Sequence, residues 1–342
     1  MPVRRAIATL LLIAMLLVGA VLWWSDQNAA RRDSGDLARS AATSAQHCAP
    51  ALQGGDHPGM VWIAAASFRM GSDQAFPEEA PAIAAQVEGF WIDQTEVTNA
   101  QFAQFVAATG YRTLAERGVR QGNANDAAVV AGSAVFRPRG DAAALRSIVS
   151  WWQFLPGADW RHPDGPGTSI NGLDKHPVVH VAYEDALAYA KWKGHTLPTE
   201  AQFEYAAQGS ARKNLAGEFA SNTWQGTFPT QNNSADGYPG TAPVGCYGTN
   251  SHGLHDMVGN VWEWTTSPYY ERHDFTSRRA HPQGFDPSQP DEPAVAVLKG
   301  GSYLCSPDYC MRYRPEARIG QSLGLGTSHI GFRTVLNKVS MQ

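Results

Sequence analysis

Leu197-Pro-Thr-Glu-Ala-Gln-Phe-Glu-Tyr-Ala206 and Val258-Gly-Asn-Val-Trp-Glu-Trp264 are the stretches on which the fold of this chain turns. In the first, Thr199 followed by Gln202 is a capping-box pattern, and the helix it opens carries Phe203, Tyr205 and Ala206. Thr98-Asn-Ala-Gln101 repeats the pattern and opens a helix through Phe102, Phe105 and Val106 that stops at Gly110. A further helix runs over Tyr183–Lys193, with Gly194 as its stop. Short apolar runs at residues 60–65, 89–92 and 178–181, bounded by Gly and Pro, read as strands. Long stretches rich in Gly, Pro, Asn and Asp lie between these elements. The mixture predicts an α+β domain with much irregular chain, the kind of chain that carries sites or bound metal.

Two stretches carry candidate chemistry. Lys299-Gly-Gly-Ser-Tyr-Leu-Cys305-Ser-Pro-Asp-Tyr-Cys310-Met-Arg-Tyr-Arg314 holds two of the four cysteines, spaced C-x4-C. From chemistry alone three readings stand: a structural disulfide, half of a zinc site, or a two-thiolate site for a soft ion such as Cu(I). No second Cys/His pair follows at zinc spacing. Arg312 and Arg314 favour thiolates by lowering the thiol pKa values. Asp256-Met-Val-Gly-Asn-Val-Trp-Glu263 offers two carboxylates and backbone carbonyls, either a calcium site of mixed oxygens or Asx-type turns. Asn222-Thr-Trp-Gln-Gly and Ala235-Asp-Gly-Tyr238 have the same two readings. Gly300-Gly301 reads as a turn or close-packing feature. His162, His176, His180 and His252 form no metal-binding pattern, and no HExxH motif occurs.

The composition sets the frame. The chain has 342 residues, 43% hydrophobic and 17% charged, with a formal net charge of −4. Disorder and coiled coil are excluded for the bulk of it, and there is no basic footprint for nucleic acid. Four cysteines are too few to build a disulfide scaffold. Arg4 and Arg5 precede the uncharged run 6–24, long enough for a spanning helix of roughly 17–25 residues. Residues 1–24 are expected to be an N-terminal membrane anchor, with a cleaved signal segment as the alternative. The basic flank places the rest of the chain on the outer, periplasmic side, anchored to the inner membrane by residues 6–24. Trp23 and Trp24 fit the interfacial belt. Residues 25–58 are a polar tether, and residues 59–342 form one domain without internal repeat.

The phrases Phe68-Arg-Met-Gly71, Glu96-Val-Thr-Asn99, Trp160-Arg-His-Pro-Asp-Gly-Pro166, His176-Pro-Val-Val-His-Val181, Leu197-Pro-Thr-Glu-Ala201, Val258-Gly-Asn-Val-Trp-Glu-Trp264, Lys299-Gly-Gly-Ser-Tyr303 and Gly331-Phe-Arg333 span the domain. Together they make the chain resemble the formylglycine-generating enzyme family, also called sulfatase-modifying factors. Leu197–Ala201 and Gly259–Trp264 occur across the wider superfamily and imply its C-type-lectin-like α+β fold. The Trp160-Arg-His-Pro163 phrase and the paired cysteines belong to the catalytic branch.

The resemblance implies that Cys305 and Cys310 bind Cu(I) as a bis-thiolate, joined by the cysteine of a substrate peptide. With O2 and a thiol reductant, the substrate loses hydrogen from Cβ, and the thioaldehyde hydrolyses to Cα-formylglycine. The implied substrate is an unfolded or nascent exported sulfatase bearing Cys-x-Pro-x-Arg. Ser302, Tyr309 and Trp262 match residues around that centre; for Ser302 a turn role, and for Trp262 core packing, are the alternatives. The family places structural Ca2+ on the side chains of Asp256 and Glu263 with the carbonyls of Gly259 and Val261. A second Ca2+ falls on the side chains of Asn222 and Asp236 with the carbonyls of Thr223 and Tyr238.

The chain departs from animal members at Ala190 and Pro315, where extra cysteines are expected; Met311 and Pro315 also change the neighbourhood of Cys310, and residues 321–329 differ from the family's usual substrate-groove loop. Cys48 and Cys246 either pair or leave Cys246 as a small buried hydrophobe. A non-catalytic lectin-like binding module and an oxidase of another exported substrate are the rival functions. The iron-dependent sulfoxide synthases of this fold are disfavoured, because the short polar tether cannot be their histidine-bearing helical domain.

Overall fold

The computed structural model describes residues 48, 56–121, 128–137, 151–213, 216–273, 280–292 and 294–338. The expected anchor at 6–24, and all of the tether at 25–58 except residues 48 and 56–58, lie outside the described residues. Among the described residues no helix is long and apolar enough to cross a membrane.

Strands β1 (Met60–Ile63), β2 (Ala66–Met70), β3 (Ile83–Val87) and β4 (Phe90–Asp93) come first. Helices α1 (Asn99–Thr109) and α2 (Leu114–Arg117) follow, then β5 (Val119–Gln121), β6 (Ala128–Val130), β7 (Gly132–Phe136) and β8 (Trp152–Pro156). Helices α3 (Tyr183–Lys193) and α4 (Glu200–Ala206) precede β9 (Trp262–Pro268), β10 (Val295–Lys299), β11 (Arg318–Ser322), β12 (Ile330–Gly331) and β13 (Val335–Asn337). β1-β4-β13 form an antiparallel sheet, β11-β10-β9-β12 a mixed one, and three hairpins complete the set.

The capping boxes form as expected. Thr98 accepts from Gln101 N and Thr199 from Gln202 N, and each glutamine reaches back to its cap. Gly110 and Gly194 end α1 and α3 in the left-handed conformation, at φ 68° and 74°. Strands at 60–63 and 90–93 also match. The expected strand at 178–181 is corrected: this stretch is buried but irregular. Val178 N donates to Val97 O and His180 N to Thr327 O, two different partners, and His180 sits at φ 60°. A strand needs one continuous partner, so no ladder forms here.

One core cluster gathers Phe102, Tyr189, Trp160, Trp264 and Phe332 around the faces of α1, α3 and β9. Trp264 Nε1 donates to Val181 O at 3.0 Å, so its polar atom is satisfied inside. A second cluster packs α4, through Phe203 and Ala206, against Ile63, Phe90 and Ile92. Beneath β10 lies a buried ionic layer. Lys299 Nζ donates to Glu204 Oε2 at 2.7 Å, and Arg318 Nε to Glu200 Oε1 at 2.6 Å. The chain leaves β10 through Gly300 and Gly301, at φ 96° and 80°. A Cβ on Gly301 would overlap the Arg312 carbonyl. That approach folds the cysteine-bearing loop back on itself.

Candidate active site

A cleft of about 510 Å³ holds all five residues expected around the reactive centre: Cys305, Cys310, Ser302, Tyr309 and Trp262. Cys305 and Cys310 are 1% and 8% exposed, with Cα atoms 4.7 Å apart. Their sulfurs are joined as a disulfide in this structure. Ser302 serves two ends at once. It lines the cleft, and its hydroxyl accepts from Leu304 N at 3.2 Å while its carbonyl accepts from Cys305 N at 2.9 Å. Trp262 likewise combines wall and core: it lines the cleft and belongs to the buried cluster that holds both cysteines.

Apart from Tyr309, sequence reasoning missed the aromatic wall. Tyr309 stacks on Phe228 with centroids 4.3 Å apart and planes at 2°, and Trp151 meets Tyr309 edge-on at 5.1 Å. Phe136, Trp152 and His329 extend the wall. Asp308 Oδ2 accepts from Phe228 N at 3.2 Å and so ties the cysteine loop to this wall. Burial and the neighbouring His180 push the His329 imidazole down to about 3, which keeps it neutral in the cleft. Burial raises the Tyr309 phenol. Arg312 and Arg314, expected to lower the thiol pKa values, are each engaged by a carboxylate, and Arg312 lines the same cleft as the two cysteines. Arg312 pairs with Glu78 and lies over the Phe76 ring, and Arg314 pairs with Glu79.

The two oxygen-rich sets are neighbours. Asn222 Nδ2 donates to Gly240 O at 2.8 Å and to Asn260 Oδ1 at 3.0 Å, while Asn222 Oδ1 is buried without a hydrogen-bond partner among the described residues. Asp236 Oδ2 accepts from Thr223 N at 2.8 Å, and Asp236 Oδ1 from Tyr238 N at 3.2 Å. Gln225 Nε2 donates to the Thr223 carbonyl and to Asp236 Oδ2. Asn222, Thr223, Asp236 and Tyr238 are thus brought together, and burial raises the Asp236 carboxyl above its usual range.

In the other set Asp256, Gly259, Val261 and Glu263 surround a turn with left-handed backbone at Asp256 (φ 55°) and Asn260 (φ 53°). Glu263 receives two bonds from Arg333, both at 2.8 Å. Glu96, absent from the sequence reading of this site, joins it: Asn260 Nδ2 donates to Glu96 Oε1 at 3.0 Å. Among the described residues Glu96 Oε2 has no hydrogen-bond partner, and Arg333 Nη2 lies 4.0 Å from it. Three buried carboxylates therefore face one guanidinium, and burial raises the pKa values of all three. Glu96 and Arg333 each stand in a quoted motif, which was the available signal. Orphaned oxygens and surplus negative charge fit a hard cation in both sets. Among the described residues no three Asp, Glu, His or Cys side chains converge on one point, so such an ion would draw on backbone carbonyls as well.

Cys48 and Cys246 pair as a disulfide, one of the two outcomes left open above. The histidines read from the sequence have local partners: His162 with Asp159 (3.2 Å), His176 with Thr241 (2.9 Å), His180 with Ser133 and Pro163 (each 2.8 Å), and His252 against the Tyr205 ring.

Residues 45–338 match the model of the sulfatase-modifying factor enzyme 1-like domain. The formylglycine-generating enzyme of Mycobacterium tuberculosis is 46% identical over 299 residues, covering 82% of this chain and 98% of that one. A mouse relative named inactive Cα-formylglycine-generating enzyme 2 is 35% identical over 297 residues, covering 83% and 88%. PvdO from Pseudomonas aeruginosa superposes with a TM-score of 0.50 at 22% identity, covering 81% and 93%, and shares the fold. The chain therefore belongs to the sulfatase-modifying factor enzyme 1-like family.

Proposed function

We propose that this protein is a copper-dependent oxidase that uses O2 to convert the cysteine of a Cys-x-Pro-x-Arg motif in exported sulfatases to Cα-formylglycine. The observation that carries the reading is Cys305 and Cys310 side by side in the wall of an aromatic cleft. Two buried soft sulfurs suit Cu(I) over harder ions. In the disulfide form they are not ligands, so a thiol reductant must first deliver two electrons and two protons. Held by the two thiolates, copper(I) would supply the activation of O2.

The remaining work falls to the chain itself. Tyr309, Phe228 and Trp151 offer a continuous ring surface on which an extended peptide can lie. Cys305 and Cys310 are themselves 1% and 8% exposed, in a cleft that Trp262 and Leu304 also line, so little water reaches the sulfurs. The Ser302 hydroxyl is spent on Leu304 N as acceptor, which leaves its proton to donate into the cleft. Ca2+ on the two oxygen-rich sets would neutralise buried carboxylates and fix irregular chain behind the cleft. The same reading puts the domain on the periplasmic face, anchored by residues 6–24, where exported sulfatases pass unfolded.

The family includes a relative named inactive, so membership alone does not carry the activity. The paired cysteines weigh against a purely binding role. Titration of the reduced protein against a chromogenic Cu(I) chelator tests the metal assignment. Equimolar uptake is expected, abolished in Cys305→Ser and Cys310→Ser. Reduced protein that cannot compete for Cu(I) overturns it.

A further inference from the structure

The loop that carries Cys246 touches both oxygen-rich sets. Its Gly245 amide donates to Asp256 Oδ2 at 2.7 Å. The Tyr247 hydroxyl donates to the Asp236 carbonyl at 3.1 Å, and the Tyr247 carbonyl meets His255 Nδ1 at 2.6 Å. Between them the Tyr238 hydroxyl lies 3.6 Å from Cys246 Sγ. A cleft of about 320 Å³, lined by Cys246, Tyr247 and Asp256 among others, gives solvent a route to Asp256. The covalent tie on this loop is the bond to Cys48, 198 residues away in sequence.

We propose that the Cys48–Cys246 disulfide controls the divalent-cation affinity of both sets by holding the loop at residues 244–248 in place. The inference rests on the calcium assignment made under Proposed function. A cation site binds tightly when its oxygens are already positioned, because ordering them on binding subtracts from the affinity. Gly245 and Tyr247 position Asp256 and Asp236, and the disulfide positions Gly245 and Tyr247. Reduction breaks the S–S bond, takes two electrons and two protons from a thiol reductant, and leaves two thiols. The loop is then free to move, and each lost hydrogen bond must be rebuilt when the ion binds. Linkage is reciprocal: the factor by which the disulfide raises cation affinity is the factor by which the cation favours the disulfide.

The test uses the full-length chain, stripped with a chelator and titrated with Ca2+ by calorimetry. Cys48→Ser/Cys246→Ser is expected to bind Ca2+ about ten-fold more weakly than the wild type, a difference of about 1.4 kcal/mol. Tyr247→Phe keeps the disulfide and removes one hydroxyl link, so a loss of only a few-fold is expected. In a thiol–disulfide buffer, Ca2+ should shift Cys48–Cys246 toward the disulfide by about ten-fold for each site that fills, the two factors multiplying when both are saturated, read by thiol alkylation and mass spectrometry. Equal Ca2+ affinity in the double variant and the wild type overturns the proposal. A wild-type protein that binds no Ca2+ overturns the calcium assignment itself, and this inference with it. Should the double variant fail to fold, Tyr247→Phe and the redox titration decide: no loss and no shift overturn the proposal.

Discussion

Replacing Arg333 with Met should expose how strongly the carboxylate cluster leans on one cation. Arg333 is 0% exposed. Its guanidinium gives Glu263 two bonds at 2.8 Å, and meets the carbonyls of His255 at 3.1 Å, Asp93 at 3.3 Å and Gln94 at 3.4 Å. Methionine keeps much of the volume but none of the donors. Glu263 would then lie buried beside Glu96 and Asp256 with no guanidinium. Removing one partner of a buried pair costs about 3–5 kcal/mol. For a unit of this size that corresponds to a Tm lower by about 10 °C, at the usual few degrees per kcal/mol.

The pH dependence gives this prediction a signature. Burial already holds the Glu263 carboxyl above its usual range, and losing Arg333 raises it further. A carboxyl whose folded pKa exceeds its unfolded value loses stability as pH climbs between the two. The deficit of Arg333→Met is therefore largest at neutral pH and shrinks on acidification, where a proton replaces the guanidinium. Thermal unfolding by circular dichroism over a pH series, in chelator, is the assay. Arg333→Met/Glu263→Gln should recover part of the loss. A variant that melts with the wild type at neutral pH, or whose deficit grows on acidification, refutes the reasoning.

Three further outcomes are expected. Thr199→Ala removes the oxygen that accepts from Gln202 N at 3.1 Å and should cost about 1 kcal/mol by chemical denaturation. Gly301→Ala forces a Cβ onto the Arg312 carbonyl at φ 80°, so about 1–3 kcal/mol should be lost, with weaker protection of the cysteine loop in hydrogen exchange. Burial lifts the Asp185 carboxyl to about 6, although Ala182 N, Leu114 N and the Tyr111 hydroxyl donate to it. Its contribution is therefore full in acid and lost as pH rises toward about 6, so the stability slope across that window should flatten in Asp185→Asn.

Local signals in the sequence read well because their physics is local. The caps at Thr98 and Thr199, and the glycine stops at 110 and 194, need only neighbours along the chain. Residues 178–181 failed because an apolar run reports burial, whereas strand formation needs a ladder partner. The five residues expected at the reactive centre come from β9 and one loop, and the structure brings them into one cleft. Tyr309 and the stretch 321–329 were singled out, but the rest of the aromatic wall was invisible because Trp151 and Phe228 come from distant segments, and each alone reads as a core residue. Glu96 was missed for the same reason: its carboxylate meets Asn260 across 164 residues of sequence.

Incubation of the reduced, Cu(I)-loaded full-length protein with a Cys-x-Pro-x-Arg peptide in air tests the central claim most directly. The readout is the peptide mass, with the product trapped by a hydrazide, and Cys305→Ser and Cys310→Ser run alongside. The account predicts an aldehyde at the cysteine position with the wild type and none with either variant. An unchanged peptide despite bound Cu(I), or conversion that survives loss of either cysteine, would contradict it.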